Sequence, residues 1–169
     1  NCFLQVDDSA LWALFRELIG VVIVNVKSVR RLKRILQQAG DVDPASVLKP
    51  YERASIDRFA KQVQTLRLAV RFFRLLCEGH NNAAQRYIFQ QVDNASSINL
   101  LELIVRLCSR LCKNETAANA CDGDDADCLT MCFEMLSEVT TGPDCRNQEW
   151  LIGSEILPCA ASILRAPFS

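Results

Sequence analysis

The stretch Val70-Arg-Phe-Phe-Arg-Leu-Leu-Cys-Glu-Gly-His-Asn-Asn82, continued by Ala83-Ala-Gln-Arg-Tyr87, decides how the rest of the chain is read. It opens as the end of an amphipathic helix. Phe72, Phe73, Leu75 and Leu76 form a broad apolar face, and Arg71 and Arg74 lie on the polar side. Gly79 suits the left-handed position just past a helix end, which puts Glu78 in the last turn. A carboxylate is out of place there, because unpaired carbonyls make a helix C-terminus negative. The pattern returns at Phe133-Glu-Met-Leu-Ser-Glu-Val-Thr-Thr-Gly-Pro143, where Glu138 falls in the last turn before Gly142-Pro143. Two readings stand for this pair: both carboxylates are solvated surface groups, or together they are halves of a cation site.

With 169 residues, half of them hydrophobic, and a net charge of -1, the chain can bury a core as one domain. That balance speaks against disorder and against a nucleic-acid partner. Six glycines and five prolines are few, and Leu, Ala, Arg and Glu are plentiful, so the expected class is all-α. Nine cysteines cannot all pair internally. Cys77, Cys108, Cys112, Cys128 and Cys132 fall inside apolar helical patterns, where a free thiol acts as a small hydrophobe. All nine are read as thiols in a reducing compartment, which leaves the sequons at Asn94 and Asn114 inert. Cys108/Cys112 and Cys128/Cys132 have the i, i+4 spacing of a zinc site, but their apolar neighbours favour core packing. The start, Asn1-Cys2 with Asp7 and Asp8 soon after, is unlike a signal peptide, and the missing Met reads as a piece cut from a larger protein.

Taken in order, Ser9 is the expected N-cap of a helix carrying Leu11, Leu14, Phe15, Leu18 and Val22. The apolar run Leu18–Val26 is too short to span a bilayer and reads as a buried helix, or as a short strand. The helix continues through Val29, Leu32, Ile35 and Leu36 to Gly40, with Arg30, Arg31, Lys33 and Arg34 as a solvated basic face. Asp41–Pro50 is expected as a loop. Ser55 then caps a long helix with the stripe Phe59, Val63, Leu66, Val70 and Phe73. A short helix from about Asn82 comes next, then one over Ile98–Cys112. Residues 114–127 read as a surface insertion, acidic at Asp122, Asp124, Asp125 and Asp127. No EF-hand fits it, since the sixth position lacks Gly in every Asp register and the twelfth from Asp122 is Phe133. Helices over Cys128–Thr141, from about Asn147, and from about Ser154 complete the chain, with Pro158 tolerated in a first turn. Phe72, Phe73, Leu76, Leu107 and Leu136 are the expected core. No nucleotide loop, Ser/His/Asp set or catalytic cysteine pattern is visible, so the chain is not read as an enzyme.

The blocks Arg71–Asn82, Gln85-Arg-Tyr87, Ile98-Asn-Leu-Leu101 and Leu136–Gln148 together resemble one family. It is the RIH-associated domain shared by ryanodine receptors and inositol trisphosphate receptors. The resemblance covers about Val70 to Leu164 in the family's order, and the pairing of Cys-Glu-Gly-His-Asn-Asn with Glu-x-x-x-Gly-Pro carries it. It divides the chain in two: residues 70–169 form the domain, and residues 1–69 are helices without a motif of their own, continuous with it.

The resemblance implies an armadillo-like stack of about seven antiparallel helices. It implies a cytosolic regulatory domain of a tetrameric intracellular calcium-release channel, on the cytoplasmic face of the endoplasmic reticulum or an equivalent store membrane. It implies that Glu78 and Glu138 are calcium ligands, with His80 in the outer shell. Thr141 stands where the family has an outer-shell Gln, and Asp144 separates Pro143 from Cys145 where the family joins them. The remaining ligand would come from the post-pore segment of the same channel, and neighbouring subunits of the tetramer would be further partners. Calcium takes six to eight oxygens and two carboxylates supply at most four, so the chain alone should bind it weakly. The competing reading is an armadillo-like interaction scaffold without calcium sensing.

Overall fold

Two long helices set the frame: α1, Ser9–Ala39, and α3, Pro50–Cys77, separated by the four-residue α2, Pro44–Val47. A computed structural model describes residues 8–92, 94, 96–112, 123–142 and 145–165. The described residues form eight α-helices and no strand, the others being α4 Asn82–Phe89, α5 Leu100–Cys112, α6 Gly123–Thr140, α7 Arg146–Ile152 and α8 Ile156–Arg165. The all-α expectation holds, and a strand over Leu18–Val26 is excluded.

The buried residues of α1 are Trp12, Phe15, Ile19, Val22, Val26 and Val29. They alternate in steps of three and four, the spacing of a seam between two helices. In α3, Phe59, Leu66, Val70, Phe73 and Cys77 are buried with Val63 beside them, in the same rhythm. The two helices run antiparallel. Phe73, near the end of α3, stacks on Trp12 with centroids 5.0 Å apart and meets the edge of Phe15 at 5.0 Å. Leu11 and Leu14, expected on the buried stripe, are instead 49% and 64% exposed, because the seam runs one position further along. Phe72 is 49% exposed and Leu76 only half-buried, so the core expectation fails there, while Phe73, Leu107 and Leu136 are buried as expected. The four apolar residues of Phe72–Leu76 that flank Arg74 cannot all face one neighbour on a 3.6-residue turn.

Helix α1 has a window of mean hydropathy 1.7 and passes the length and composition test for crossing a membrane. Its seam nevertheless lies in the common core against α3 and α5. Helix α5 is buried on most sides, through Leu100, Leu101, Ile104, Val105, Leu107, Cys108 and Leu111, and packs against α1, α4, α6 and α8.

Helix α2 falls inside the expected loop Asp41–Pro50, α5 begins at Leu100 rather than Ile98, and three further boundaries differ from expectation. The N-cap of α1 is Asp8, whose carboxylate accepts from Tyr87 Oη and Asn94 Nδ2, both at 2.6 Å. Helix α3 begins at Pro50 rather than after Ser55, with the Glu52 carboxylate accepting from the Lys49 N–H at 2.8 Å. Proline at a first helical position loses no bond, so Lys49-Pro50 opens a helix where it suggested a loop. Helix α6 begins at Gly123 rather than Cys128. Its first turn holds Asp124 and Asp125, which α1 grips: Arg30 Nε donates to Asp125 at 2.6 Å and Lys33 Nζ to Asp124 at 2.8 Å. Arg30 also donates to the Leu111 carbonyl at 3.1 Å. The expected solvated basic face is thus divided, with Arg31 and Arg34 exposed and Arg30 and Lys33 turned to α6. The expected surface insertion lies outside the described residues over 114–122, and residues 123–127 are helical.

Seven cysteines are free thiols, and Cys2 and Cys121 lie outside the described residues. Cys108, Cys128 and Cys132 meet in the core. Hydrogen bonds with Cys108 and Cys128, together with burial, hold the Cys132 thiol well above its ordinary range. Among the described residues no group of three or more His, Cys, Asp or Glu is arranged to hold a metal, and these three thiols lie in the core cluster.

Candidate functional site

Helix α3 stops at Cys77. Glu78 is its C-cap, with ψ 149°, so its carboxylate stands one residue beyond the last turn where the spacing had put it. Gly79 and His80 follow with φ of 69° and 60°. Two successive left-handed residues reverse the chain sharply, and the second carries a side chain that only a supporting contact makes worthwhile. That contact is the 2.9 Å hydrogen bond between His80 Nδ1 and the Thr141 carbonyl. A carbonyl only accepts, so Nδ1 carries the proton, and in the neutral ring Nε2 is left as an acceptor. Asn81 then caps α4, its side chain accepting from Ala84 N–H at 3.3 Å.

Glu138 lies within α6, two residues before its end, and is half-buried. The end of α6 meets the end of α3. The Cys77 thiol, buried beside Glu78, is pushed up to about 12 by desolvation and, secondarily, by the negative charge of Glu138. Among the described residues neither Glu78 nor Glu138 places its carboxylate in a hydrogen bond or ion pair. Glu78 is exposed.

The last carbonyls of α6 are not left bare. Gln85 Nε2 donates to those of Glu138 and Thr141, both at 3.1 Å. Asn147 Nδ2 donates to Val139 at 3.3 Å, and Gln148 Nε2 to Thr140 at 2.6 Å. Asn147 also reaches the Gln85 carbonyl at 3.3 Å, which ties α7 to α4. These amides satisfy the orphan acceptors of a helix end without bringing charge to it. At Gly142, φ 155°, an added Cβ would lie 3.3 Å from Gln85 Oε1 and 3.5 Å from Asn82 Oδ1. Asn82 Oδ1 is buried and without a hydrogen-bond partner.

Of the four expected site residues, His80 and Thr141 are joined directly, through the Thr141 main chain rather than its hydroxyl. That hydroxyl turns back to the Ser137 carbonyl at 2.6 Å. Gln85, Asn147 and Gln148 were not anticipated. Their signal was present: Gln85 stands at i, i+3 from buried Ile88, and Asn147 at i, i+4 from buried Leu151. An amide on an apolar face has to be answered inside the protein.

Comparison with known proteins bears on this pair of helix ends. The family model described as RyR and IP3R Homology associated matches residues 60–164. The chain belongs to this family. The RyR and IP3R Homology associated region starts within α3, ten residues before the block that first carried the resemblance, and takes in every one of these site residues. It ends in α8 and leaves out α1, although α1 shares the core. No curated protein and no solved structure matches the chain. The family is one of channel-associated domains rather than enzymes.

Proposed function

We propose that the chain is a cytosolic regulatory domain of a tetrameric intracellular calcium-release channel, in which Glu78 and Glu138 supply carboxylates to a calcium-sensing site. The observation that carries this reading is the hydrogen bond from His80 to the Thr141 carbonyl, which ties the segment after Glu78 to the segment after Glu138. The donor set suits calcium: two carboxylates free of ion pairs and, nearby, the unpartnered amide oxygen of Asn82 are all hard oxygen ligands. It is also short of a full shell, in keeping with the lack of any three-residue metal cluster among the described residues.

The post-pore segment of the same channel would complete the shell. Bound calcium would neutralise the two carboxylates and bridge the elements that carry them. The protein's own share is to hold the C-terminal ends of α3 and α6 side by side, so that a third element docking there differs in stability between two states of the gate. The helices would stack in armadillo-like fashion, each burying a stripe on its neighbours. Neighbouring subunits would meet the domain in the tetramer, on the cytoplasmic face of the endoplasmic reticulum or an equivalent store membrane.

The second reading, an interaction scaffold without calcium sensing, is favoured by one observation. Leu68, Phe72 and Leu75 stand 60%, 49% and 48% exposed along one side of α3, as a partner helix would require. Calorimetric titration of calcium into the chain linked to its post-pore segment separates the two. Binding that is lost in Glu78→Gln and in Glu138→Gln supports the sensing site. The absence of binding in the linked protein supports the scaffold.

A further inference from the structure

The network around the end of α6 joins three elements: the turn after α3 through His80, α4 through Gln85, and α7 through Asn147 and Gln148. Gln85 is its hub. Its side chain is 1% exposed, and Nε2 bridges the carbonyls of Glu138 and Thr141. Its Oε1 lies 3.3 Å from where a Cβ on Gly142 would sit, and Asn147 holds its main-chain oxygen. Its side-chain nitrogen and its main-chain oxygen are therefore both engaged.

A neutral amide can do at this place what a cation cannot. Lys or Arg would also satisfy the carbonyls, but would neutralise Glu138 and lower the site's affinity for a metal ion. Glutamine holds the backbone of Glu138 in place and leaves its charge uncompensated. Outer groups that orient metal ligands typically govern metal affinity by about ten- to a hundredfold.

Resting on the calcium reading above, we infer that Gln85, backed by Asn147, is the positioning residue that holds the Glu138 carboxylate against the end of α3, and so sets the calcium affinity of the site. The route from α7 to Glu138 runs through Asn147, so movement of the chain after α6 reaches the site by way of this amide pair.

The test uses the whole channel, with two readouts: the calcium concentration for half-activation in single-channel recordings, and hydrogen exchange of residues 137–142 without calcium. Gln85→Met keeps the volume and removes both donors. It should raise the half-activating concentration about tenfold and speed exchange in the last turn of α6. Gln91→Met serves as control. Gln91 is equally buried but holds the Ile98 N–H at 2.7 Å, away from α6, and its substitution should leave calcium activation unchanged. Should Gln85→Met fail to assemble, Gln85→Asn, one methylene too short to reach both carbonyls, carries the same expectation. Unchanged activation in the Gln85 variant beside a shift in Glu138→Gln overturns the positioning role and leaves the calcium site standing. An equal shift in Gln91→Met overturns it too, as general destabilisation. No shift in Glu138→Gln itself removes the calcium reading, and this inference with it.

Discussion

His80 Nδ1 lies 2.9 Å from the main-chain oxygen of Thr141, and this bond fastens the turn after one helix to the end of another sixty-one residues away. His80 makes it from a left-handed backbone with φ 60°. Histidine tolerates that conformation better than most side chains but still at some strain.

Substitution at His80 should therefore separate strain from bonding. His80→Ala keeps the unfavourable backbone and loses the bond, and should destabilise by about 1–2 kcal/mol. His80→Gly loses the same bond but relieves the strain, and should fall within about 1 kcal/mol of the parent. Urea denaturation of the two variants checks the order; a glycine variant less stable than the alanine one contradicts the account.

The seam of α1 and α3 predicts a contrast between neighbours. Phe73 is 4% exposed and stacked on Trp12, so Phe73→Ala should cost on the order of 3–5 kcal/mol. Phe72, half-exposed beside it, should cost about 1 kcal/mol or less on truncation. Equal losses in thermal or chemical melts would mean that the seam is misplaced.

Arg30 reaches both buried Asp125 and the Leu111 carbonyl. Arg30→Met leaves a carboxylate buried without this partner and should cost about 3 kcal/mol. Lys33, whose partner Asp124 is 64% exposed, should lose less than about 1 kcal/mol as alanine. Chemical denaturation in low and high salt checks both, with salt lowering the Lys33 contribution further.

Cys77 makes stability fall in alkali. Its thiol is raised from 9.0 to about 12 in the folded protein, so the unfolded chain gives up its proton first. Between those values the folded state binds more protons, and stability declines with rising pH. The contribution is fully present below 9.0 and is lost toward 12. Cys77→Ala should flatten this part of the stability profile relative to the parent. Glu138→Gln should bring the Cys77 thiol down, since one cause of its rise is the charge of Glu138. Thiol alkylation followed against pH reads both effects.

Much of the fold was legible in the chain because helical periodicity is local. The stripe from Phe59 to Phe73 and the stops at Gly40 and Gly79 come from spacing and from glycine's freedom at positive φ. The phase of the α1 seam was not legible. Leu11, Leu14 and Leu18 are as apolar as Trp12, Phe15 and Ile19, and only the partner helix chooses between the rows. The start of α6 was hidden for a similar reason: the acidic run looked like loop, and its answer lies on α1 at Arg30 and Lys33. At the candidate site, Glu78 and Glu138 stood out as carboxylates at odds with helix ends, and His80 came from the family resemblance. Gln85 and Asn147 did not stand out, since their partners are main-chain groups, which every residue carries alike.

The measurement that bears most directly on the sensing site is the calcium dependence of opening in the whole channel carrying Glu78→Gln or Glu138→Gln. Each change removes one negative charge and keeps the side-chain shape, so the fold should stand. Each should raise the calcium concentration for half-activation by about tenfold or more, a loss of about 1.4 kcal/mol in binding. Unchanged calcium activation in both variants would contradict the sensing role of these carboxylates.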